Sequence, residues 1–266
     1  MNAHNIDILL IQETHSSGNT RENRKWYTWY FSGGPDEETC YHGVGIVINN
    51  DLLKHVKDVN TISSRIITLT LHGKIDIHVT SAYAPTAISN TQDKDEFYKA
   101  LTKITKTKSK RGAMFIGGDL NAKFREEDID PPNGIGQHIF GKDQTLQEGE
   151  GVEDNRNRLT EFLTETKTIL ANTFYYKKPQ YLITYKLDKA AATAPPFNKN
   201  RFDTIDYFIV PRRWKNSVKD TSTNLYAEVD SDHYPLTAKV VLNLKAEYRK
   251  RDGKTKYENC STEEQI

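Results

Sequence analysis

The chain has 266 residues, of which 36% are hydrophobic and 27% charged, and its formal net charge is +1. This composition, with 14 tyrosines, excludes a disordered chain, and no apolar stretch approaches the ~20 residues that span a bilayer, so we expect no membrane partner. The two cysteines, Cys40 and Cys260, exclude a disulfide framework and a zinc-ligand spacing, which indicates a reducing, intracellular compartment.

The low net charge also excludes the overall basicity of many DNA-binding domains, so any affinity for a polyanion has to come from local patches. Three basic patches occur, and they are Lys99 to Arg111, Arg212 to Lys219 and Lys245 to Lys256. Each patch taken singly is more typical of a solvated surface than of a binding site.

The first half of the chain predicts buried strands and one helix. Strand-like segments cover 6–11, 43–48, 65–71 and 75–83, and the last two are joined as a hairpin through 72–74. Segment 93–108 has apolar residues at helical spacing, acids first and lysines last, which predicts an amphipathic helix over a sheet face.

The second half predicts more strands and one further helix. We expect strands at 113–116, 169–175, 181–187, 202–210 and 231–244, a helix at 158–167, and an insertion between residues 123 and 154. Because strands outnumber helices and several pair as hairpins, the fold class expected is α/β: a four-layer α/β sandwich with two packed mixed β-sheets flanked by helices. Residues 1–244 form this domain, and residues 245–266 are predicted to be a polar, basic linker or tail.

Five polar clusters end predicted strands: Gln12-Glu13, Ser81 to Pro85, Gly118 to Asn121, Ile205 to Tyr207, and Ser231 to His233. Alone, Glu13 is typical of a solvated strand end, Tyr83 of a half-buried packing residue and Asp119 of an Asx turn. Asp206 is different, because a carboxylate within an apolar strand is costly unless it is paired. His233 is an available partner.

Taken together and in this order, the motifs Gln-Glu-Thr, Tyr-Ala-Pro, Gly-Gly-Asp-Leu-Asn-Ala, Ile-Asp-Tyr and Ser-Asp-His resemble the endonuclease/exonuclease/phosphatase superfamily over residues 6–244. The segments between them resemble the apurinic-endonuclease-like nuclease domains of non-LTR retrotransposons of the RTE type, and their host-encoded relatives. These segments are Ile135-Gly136, Gly141, Asn155 to Phe162, Ala171 to Phe174 and Ile183 to Tyr185. Inositol phosphatases and sphingomyelinases are less similar.

The resemblance implies a metal site and a catalytic set. Glu13 would bind a divalent metal, Mg²⁺ or Mn²⁺ in its place, and Asp232 would complete the metal or water network. The catalytic set is Tyr83, Asp119, Asn121, Asp206 and His233. In it, Asp119 and Asn121 orient and deprotonate the attacking water, Tyr83 donates a hydrogen bond to the phosphate, and Asp206 keeps His233 cationic.

For nucleic-acid contacts, the resemblance implies Asn172 and Thr184 at the phosphate or sugar. It also implies that the loop from Asp188 to Arg201 enters a DNA groove, where Lys189, Lys199 and Arg201 contact phosphates. The alternative for this loop is a long flexible surface segment without a binding role.

The expected function is Mg²⁺-dependent endonuclease cleavage of duplex DNA, leaving a 3′-hydroxyl and a 5′-phosphate. In a full-length element that 3′-hydroxyl would prime a downstream reverse transcriptase domain. Two alternatives stay open: a phosphatase or phosphodiesterase of the same fold acting on another ester, and an impaired remnant that at most binds nucleic acid. We expect a nuclear monomer.

One departure from the family pattern concerns the start of the chain. Relatives begin with an earlier strand that carries an Asn near the metal, followed by a helix, whereas here Met1 lies a few residues before the Gln-Glu strand. We therefore expect an N-terminally truncated domain, either a shortened gene model or a decayed element. Low stability and feeble nicking would follow from the missing strand.

Overall fold

Residues 1, 4–34, 42–110, 112–141, 150–187, 198–227 and 230–242 are described by the computed structural model of the chain. Two α-helices lie in this part of the chain, α1 (Thr91–Ser109) and α2 (Glu150–Thr166). The strands are β1 (Ile8–Gln12), β2 (Asn19–Asn23), β3 (Tyr27–Ser32), β4 (Val44–Asn49), β5 (Val56–Ser63), β6 (Ile66–Leu71), β7 (Asp76–Tyr83), β8 (Gly112–Asp119), β9 (Thr168–Leu170), β10 (Tyr185–Lys186), β11 (Phe202–Asp203), β12 (Asp206–Pro211), β13 (Val218–Thr223) and β14 (Leu236–Val240).

A six-stranded mixed sheet brings the ends of its central strands together. Its order is β5-β6-β7-β8-β12-β9, with β7 and β8 parallel and the other pairs antiparallel. A parallel pair needs a crossover connection, and α1 supplies it. Tyr83 at the end of β7 therefore lies beside Asp119 at the end of β8, and Asp206 at the start of antiparallel β12 pairs with Asp119 from the other side.

A four-stranded antiparallel sheet, in the order β1-β4-β3-β2, packs on the first sheet. The apolar core between the two sheets includes Ile46 and Ile48 of β4 and Ile67 and Leu69 of β6, all fully buried. Burying such a side chain stabilises the fold by about 1.5–3 kcal/mol. Strands β13 and β14 form a separate pair that covers the same sheet next to β8, β9 and β12.

Both α-helices cover the opposite face of the six-stranded sheet. Helix α1 begins at its N-cap Asn90, whose side chain accepts a hydrogen bond from the Asp93 N–H. The core beneath the helices contains Leu101 of α1, Leu159 of α2 and Met114 of β8, all fully buried. None of the helices in the described residues is both long and apolar enough to cross a membrane.

The expected α/β sandwich is confirmed, with differences in detail. The smaller sheet is antiparallel throughout, and α2 begins at Glu150, eight residues before the predicted start at 158. The predicted insertion is wrong for its first part, because Phe124, Ile135 and Phe140 are buried in the core. Several predicted features lie outside the described residues: Cys40, Cys260, Arg111, Lys189, most of the 188–201 loop and the tail from 245 to 266.

Candidate active site

The site is built around the Glu13 carboxylate, which follows β1. The Tyr83 hydroxyl donates a 2.6 Å hydrogen bond to Glu13 Oε1. The strand ends behind it are tied together, because Gln12 Nε2 donates to Ser81 Oγ at 2.9 Å and that hydroxyl donates to the Ile11 carbonyl at 3.0 Å. Glu13 has a φ of +53°, a left-handed conformation that costs a non-glycine residue about 1–2 kcal/mol. A strained, carboxylate-bearing residue at a strand end is typical of a functional position.

Tyr83 is held as a hydrogen-bond donor. Burial first, and then the hydrogen bond to the Glu13 carboxylate, raise the pKa of the Tyr83 phenol, so the hydroxyl keeps its proton near neutral pH. The Arg65 guanidinium lies 5.1 Å from the Tyr83 ring centroid, a cation–π distance. A phenol has a single proton to donate, so a hydrogen bond from Tyr83 to an anionic group that arrives at the site would replace the one to Glu13.

Asp119 is a buried carboxylate, only 4% exposed, at the end of β8. Burial raises the pKa of Asp119 well above its ordinary value, and the nearby Asp206 charge adds to that effect. Its Oδ1 accepts a 2.8 Å hydrogen bond from the Asn121 N–H. The preceding residue must be Gly118, because φ is +153° there and an added Cβ would lie 1.9 Å from the Ala82 carbonyl oxygen. A carboxyl with a raised pKa in this position can accept a proton from water.

Asn121 leaves the strand in a left-handed conformation, with φ of +48°, which asparagine tolerates better than most residues. Its side-chain Nδ2 donates a 2.9 Å hydrogen bond to the Ala84 carbonyl, in the loop that follows Tyr83. The amide therefore ties the loops after β7 and β8 together beside the Asp119 carboxylate.

Asp206 and His233 form the pair expected from the sequence, with His233 Nδ1 2.9 Å from Asp206 Oδ2. Burial by itself would lower the pKa of His233. The hydrogen bond to Asp206 and the charges of Asp206, Asp119 and Asp232 outweigh burial and raise the pKa of His233 to about 9. The imidazole is therefore a cation at neutral pH.

Thr184 and Asn172, predicted to contact the phosphate or sugar, hold the backbone around Asp206. Thr184 is fully buried, and its hydroxyl oxygen accepts hydrogen bonds from the N–H groups of Ile205 at 3.0 Å and Asp206 at 3.1 Å. Asn172, 7% exposed, accepts from the Phe208 N–H at 3.1 Å. These contacts are those of positioning residues, and direct contact with nucleic acid stays a prediction.

The predicted phosphate-binding residues Lys199 and Arg201 lie in a 3-10 turn that leads into β11. Strand β11 pairs with β10, and Tyr185 of β10 forms a bridge with His233. The part of this hairpin that β10 and β11 form is therefore adjacent to the site. Lys189 lies outside the described residues.

The donor set fits a hard divalent cation. The site brings together four carboxyl groups, those of Glu13, Asp119, Asp206 and Asp232. Within the described chain, only His233 forms an ion pair with any of these four. No cluster of three or more His, Cys, Asp or Glu side chains in the described ranges could cage an ion alone. Mg²⁺ suits such a site, because it is commonly held by one or two carboxylates and keeps several waters.

Three contributions were not assigned from the sequence: Arg65 beside Tyr83, the Gln12–Ser81 link, and Asn155, which contacts the loops of both Tyr83 and Asn121. Arg65 precedes β6, and Asn155, the first residue of the segment Asn155 to Phe162 named above, belongs to α2, so both are far along the chain from the five polar clusters. No local pattern in the sequence signals these contacts, since they arise from tertiary packing.

The chain belongs to the endonuclease/exonuclease/phosphatase family, whose model matches residues 1–233. It is 30% identical over 243 residues to craniofacial development protein 2 of Tragulus javanicus, covering 91% of this chain and 38% of that protein. The chain thus spans little more than a third of the length of this relative.

Solved structures with the same fold include two nucleases. An AP endonuclease from Archaeoglobus fulgidus superposes with a TM-score of 0.62 and 21% identity, covering 91% of both chains. The 3'-5' exonuclease NExo from Neisseria meningitidis gives a TM-score of 0.61 and 18% identity, covering 89% of this chain and 90% of its own. These likenesses show the fold, and the family whose model matches the chain comprises endonucleases, exonucleases and phosphatases.

Proposed function

We propose that this chain is a Mg²⁺-dependent endonuclease that nicks duplex DNA and leaves a 3′-hydroxyl and a 5′-phosphate. The observation that carries the proposal is the convergence of a buried carboxyl, Asp119, with a phenol donor, Tyr83, and an imidazolium, His233, at one end of the sheet. Hydrolysis of a phosphodiester needs these three abilities: to take a proton from water, to bind the phosphate, and to stabilise added negative charge.

In this mechanism Asp119 accepts a proton from water, and the water oxygen forms a new bond to phosphorus. The bond between phosphorus and the 3′ oxygen breaks, and that oxygen leaves and takes a proton from solvent. Tyr83 donates a hydrogen bond to a non-bridging oxygen. His233, kept cationic by Asp206, stabilises the charge that develops on the phosphate. Bound Mg²⁺ supplies further charge neutralisation, and Glu13 and Asp232 are the residues that would hold it.

Nucleic acid as substrate is supported by the hairpin next to the site. Lys199 and Arg201 directly precede β11 in this hairpin, whose strand β10 bridges to His233 through Tyr185, and cationic side chains suit sequence-independent phosphate contacts. Cleavage that primes reverse transcription, as in non-LTR retrotransposons, is the finer part of the proposal and rests on the motif resemblance alone.

The test is nicking of a supercoiled plasmid with Mg²⁺ and with a chelator, followed by identification of the end groups. Wild type should nick only with Mg²⁺. Asp119→Ala should lower nicking by about 10²- to 10⁴-fold, the usual contribution of a general base, and leave DNA affinity nearly unchanged. Release of phosphate from 3′-phosphorylated or small esters without nicking would favour a phosphatase instead. DNA binding without hydrolysis of any ester would overturn the catalytic proposal.

A further inference from the structure

The first turns of α2 carry a buried side chain that reaches the loops of the catalytic residues. Asn155 is 1% exposed, and its Nδ2 donates to the Pro85 carbonyl at 3.0 Å and to the Asn121 carbonyl at 2.9 Å. Pro85 is two residues after Tyr83, and Asn121 is two residues after Asp119. One amide group thus joins the ends of β7 and β8 behind the site.

Two residues of α2 close to Asn155, Asp154 and Gly151, bring the helix onto the loop that follows Tyr83. Lys94, 2% exposed, donates to the Ala87 carbonyl at 3.1 Å and pairs with the Asp154 carboxylate at 2.9 Å. Gly151 allows close approach, because an added Cβ there would lie 2.1 Å from the Ala87 carbonyl oxygen. The start of α2 is therefore seated on the loop after Tyr83.

The orientation of the Asn155 amide follows from its partners. Both groups that it contacts are carbonyl oxygens, so the NH₂ group must face them, and among the described residues the buried Oδ1 has no hydrogen-bond partner. Leaving an acceptor unsatisfied costs about 1–3 kcal/mol. An apolar residue of similar shape would avoid that cost but would leave both loop carbonyls without their donor.

We infer that Asn155 is a positioning residue, which sets the spacing between Tyr83 and the Asp119–Asn121 pair. The inference rests on the proposed nuclease function. Asn121 completes the connection, because it receives the Asn155 hydrogen bond at its carbonyl and donates from its own amide to Ala84. A shift of either loop moves the phenol that binds phosphate relative to the carboxyl that activates water, and misplacement by about 1 Å can cost on the order of 10²-fold in rate.

The test compares Asn155→Leu with Leu163→Ala, a control at a fully buried position two turns further along α2. Both variants should lower the Tm. Asn155→Leu should lower kcat for plasmid nicking by about 10- to 100-fold with little change in KM, as expected for misplaced catalytic groups. Leu163→Ala should keep the wild-type kcat. Asn155→Ser, which retains one donor, should lie between wild type and Asn155→Leu, and it replaces Asn155→Leu if that variant does not fold.

A second measurement does not need activity. The N–H groups of Ala84 and Asn121 both bind Asp119, at 2.8 Å each, so their hydrogen exchange reports the two loops directly. Exchange of both should speed up in the Asn155 variants and not in Leu163→Ala. Unchanged exchange, or an unchanged kcat in a folded Asn155→Leu protein, would overturn the inference. A wild-type protein that fails to nick DNA would instead refute the proposed function. The exchange result would then still show whether Asn155 holds the two loops in place, independently of catalysis.

Discussion

The two ends of the six-stranded sheet each hold a histidine, and the two residues have opposite properties. At the catalytic end, His233 contacts the Asp206 carboxylate, and its pKa is raised to about 9. At the other end, His78 of β7 is 3% exposed and its Nδ1 lies 3.0 Å from the Thr70 hydroxyl. Burial, and then the Lys108 charge, lower the pKa of His78. The same residue type is therefore a cation at one end, where carboxylates raise its pKa, and neutral at the other, where burial and the Lys108 charge lower it.

Carboxylates differ between the two ends in the same way. Asp76, near His78, pairs with Lys57 at 2.7 Å, so its charge is compensated by a side chain. Asp119, at the catalytic end, forms no ion pair with any described residue, and its pKa is raised. Uncompensated carboxylates are costly to a fold, and they suit a site that receives a cation and a proton from outside.

The largest expected difference between the ends is in activity. Asp206→Asn should leave His233 neutral near pH 8 and lower nicking by about 10²- to 10³-fold, as for loss of an electrostatic donor. Thr70→Val removes the corresponding partner of His78 and should leave nicking unchanged while lowering the Tm. Plasmid nicking and thermal unfolding of both variants provide the measurement. Equal losses of activity would show that the two histidines do not differ in role.

A smaller difference is expected in DNA binding. Replacing Lys189, Lys199 and Arg201 together by Ala should flatten the salt dependence of binding, with about 0.9 lost from the log-log slope for each lost phosphate contact. The control replaces a cationic set at the opposite end of the sheet, Lys108, Lys110 and Arg212. That set should leave the slope unaltered in a fluorescence titration. If instead only the control set flattens the slope, DNA binds at the wrong end for the proposed reaction.

The smallest expected difference is in stability against pH. His233 has a raised pKa, so its stabilising contribution is complete below pH 6.5 and is lost as pH rises through about 9. His78 has a lowered pKa, so its contribution is present above pH 6.5 and is lost as pH falls below that value. Relative to wild type, the destabilisation caused by His233→Gln should shrink at alkaline pH, and that caused by His78→Gln should shrink at acid pH. Denaturant unfolding with a chelator present, between pH 5 and 9, measures both trends, and parallel curves would contradict them.

Sequence patterns predicted the central strands of the six-stranded sheet well and missed several strands elsewhere, among them β3, an inner strand of the smaller sheet. β6, β7 and β8 are rich in β-branched and apolar residues and are buried, so their pattern was strong. β2 has the sequence Asn-Thr-Arg-Glu-Asn and is exposed throughout, and it was missed. It is a strand because it pairs with β3, and pairing overrides a weak local preference. β13 was missed for a similar reason, since Val-Lys-Asp-Thr-Ser-Thr has little apolar content of its own.

At the site, the contact between Asp206 and His233 was predictable, because a carboxylate in an apolar strand needs a partner. In the structure His233 Nδ1 lies 2.9 Å from Asp206 Oδ2. The hydrogen bonds of the Thr184 and Asn155 side chains were not predictable from the sequence. Both residues bind backbone groups from distant segments, and a sequence does not encode such contacts locally. The left-handed backbone of Glu13 was also invisible, since glutamate has no preference for that conformation.

That backbone conformation has a consequence for attempts to engineer the protein. Glycine at position 13 would relieve the strain and stabilise the fold, yet it would remove the carboxylate that accepts the Tyr83 hydrogen bond. A selection for heat resistance alone would therefore favour loss of Glu13. Thermostable variants of this chain should consequently be screened for function at every round, because at position 13 stability and the proposed catalysis favour different amino acids.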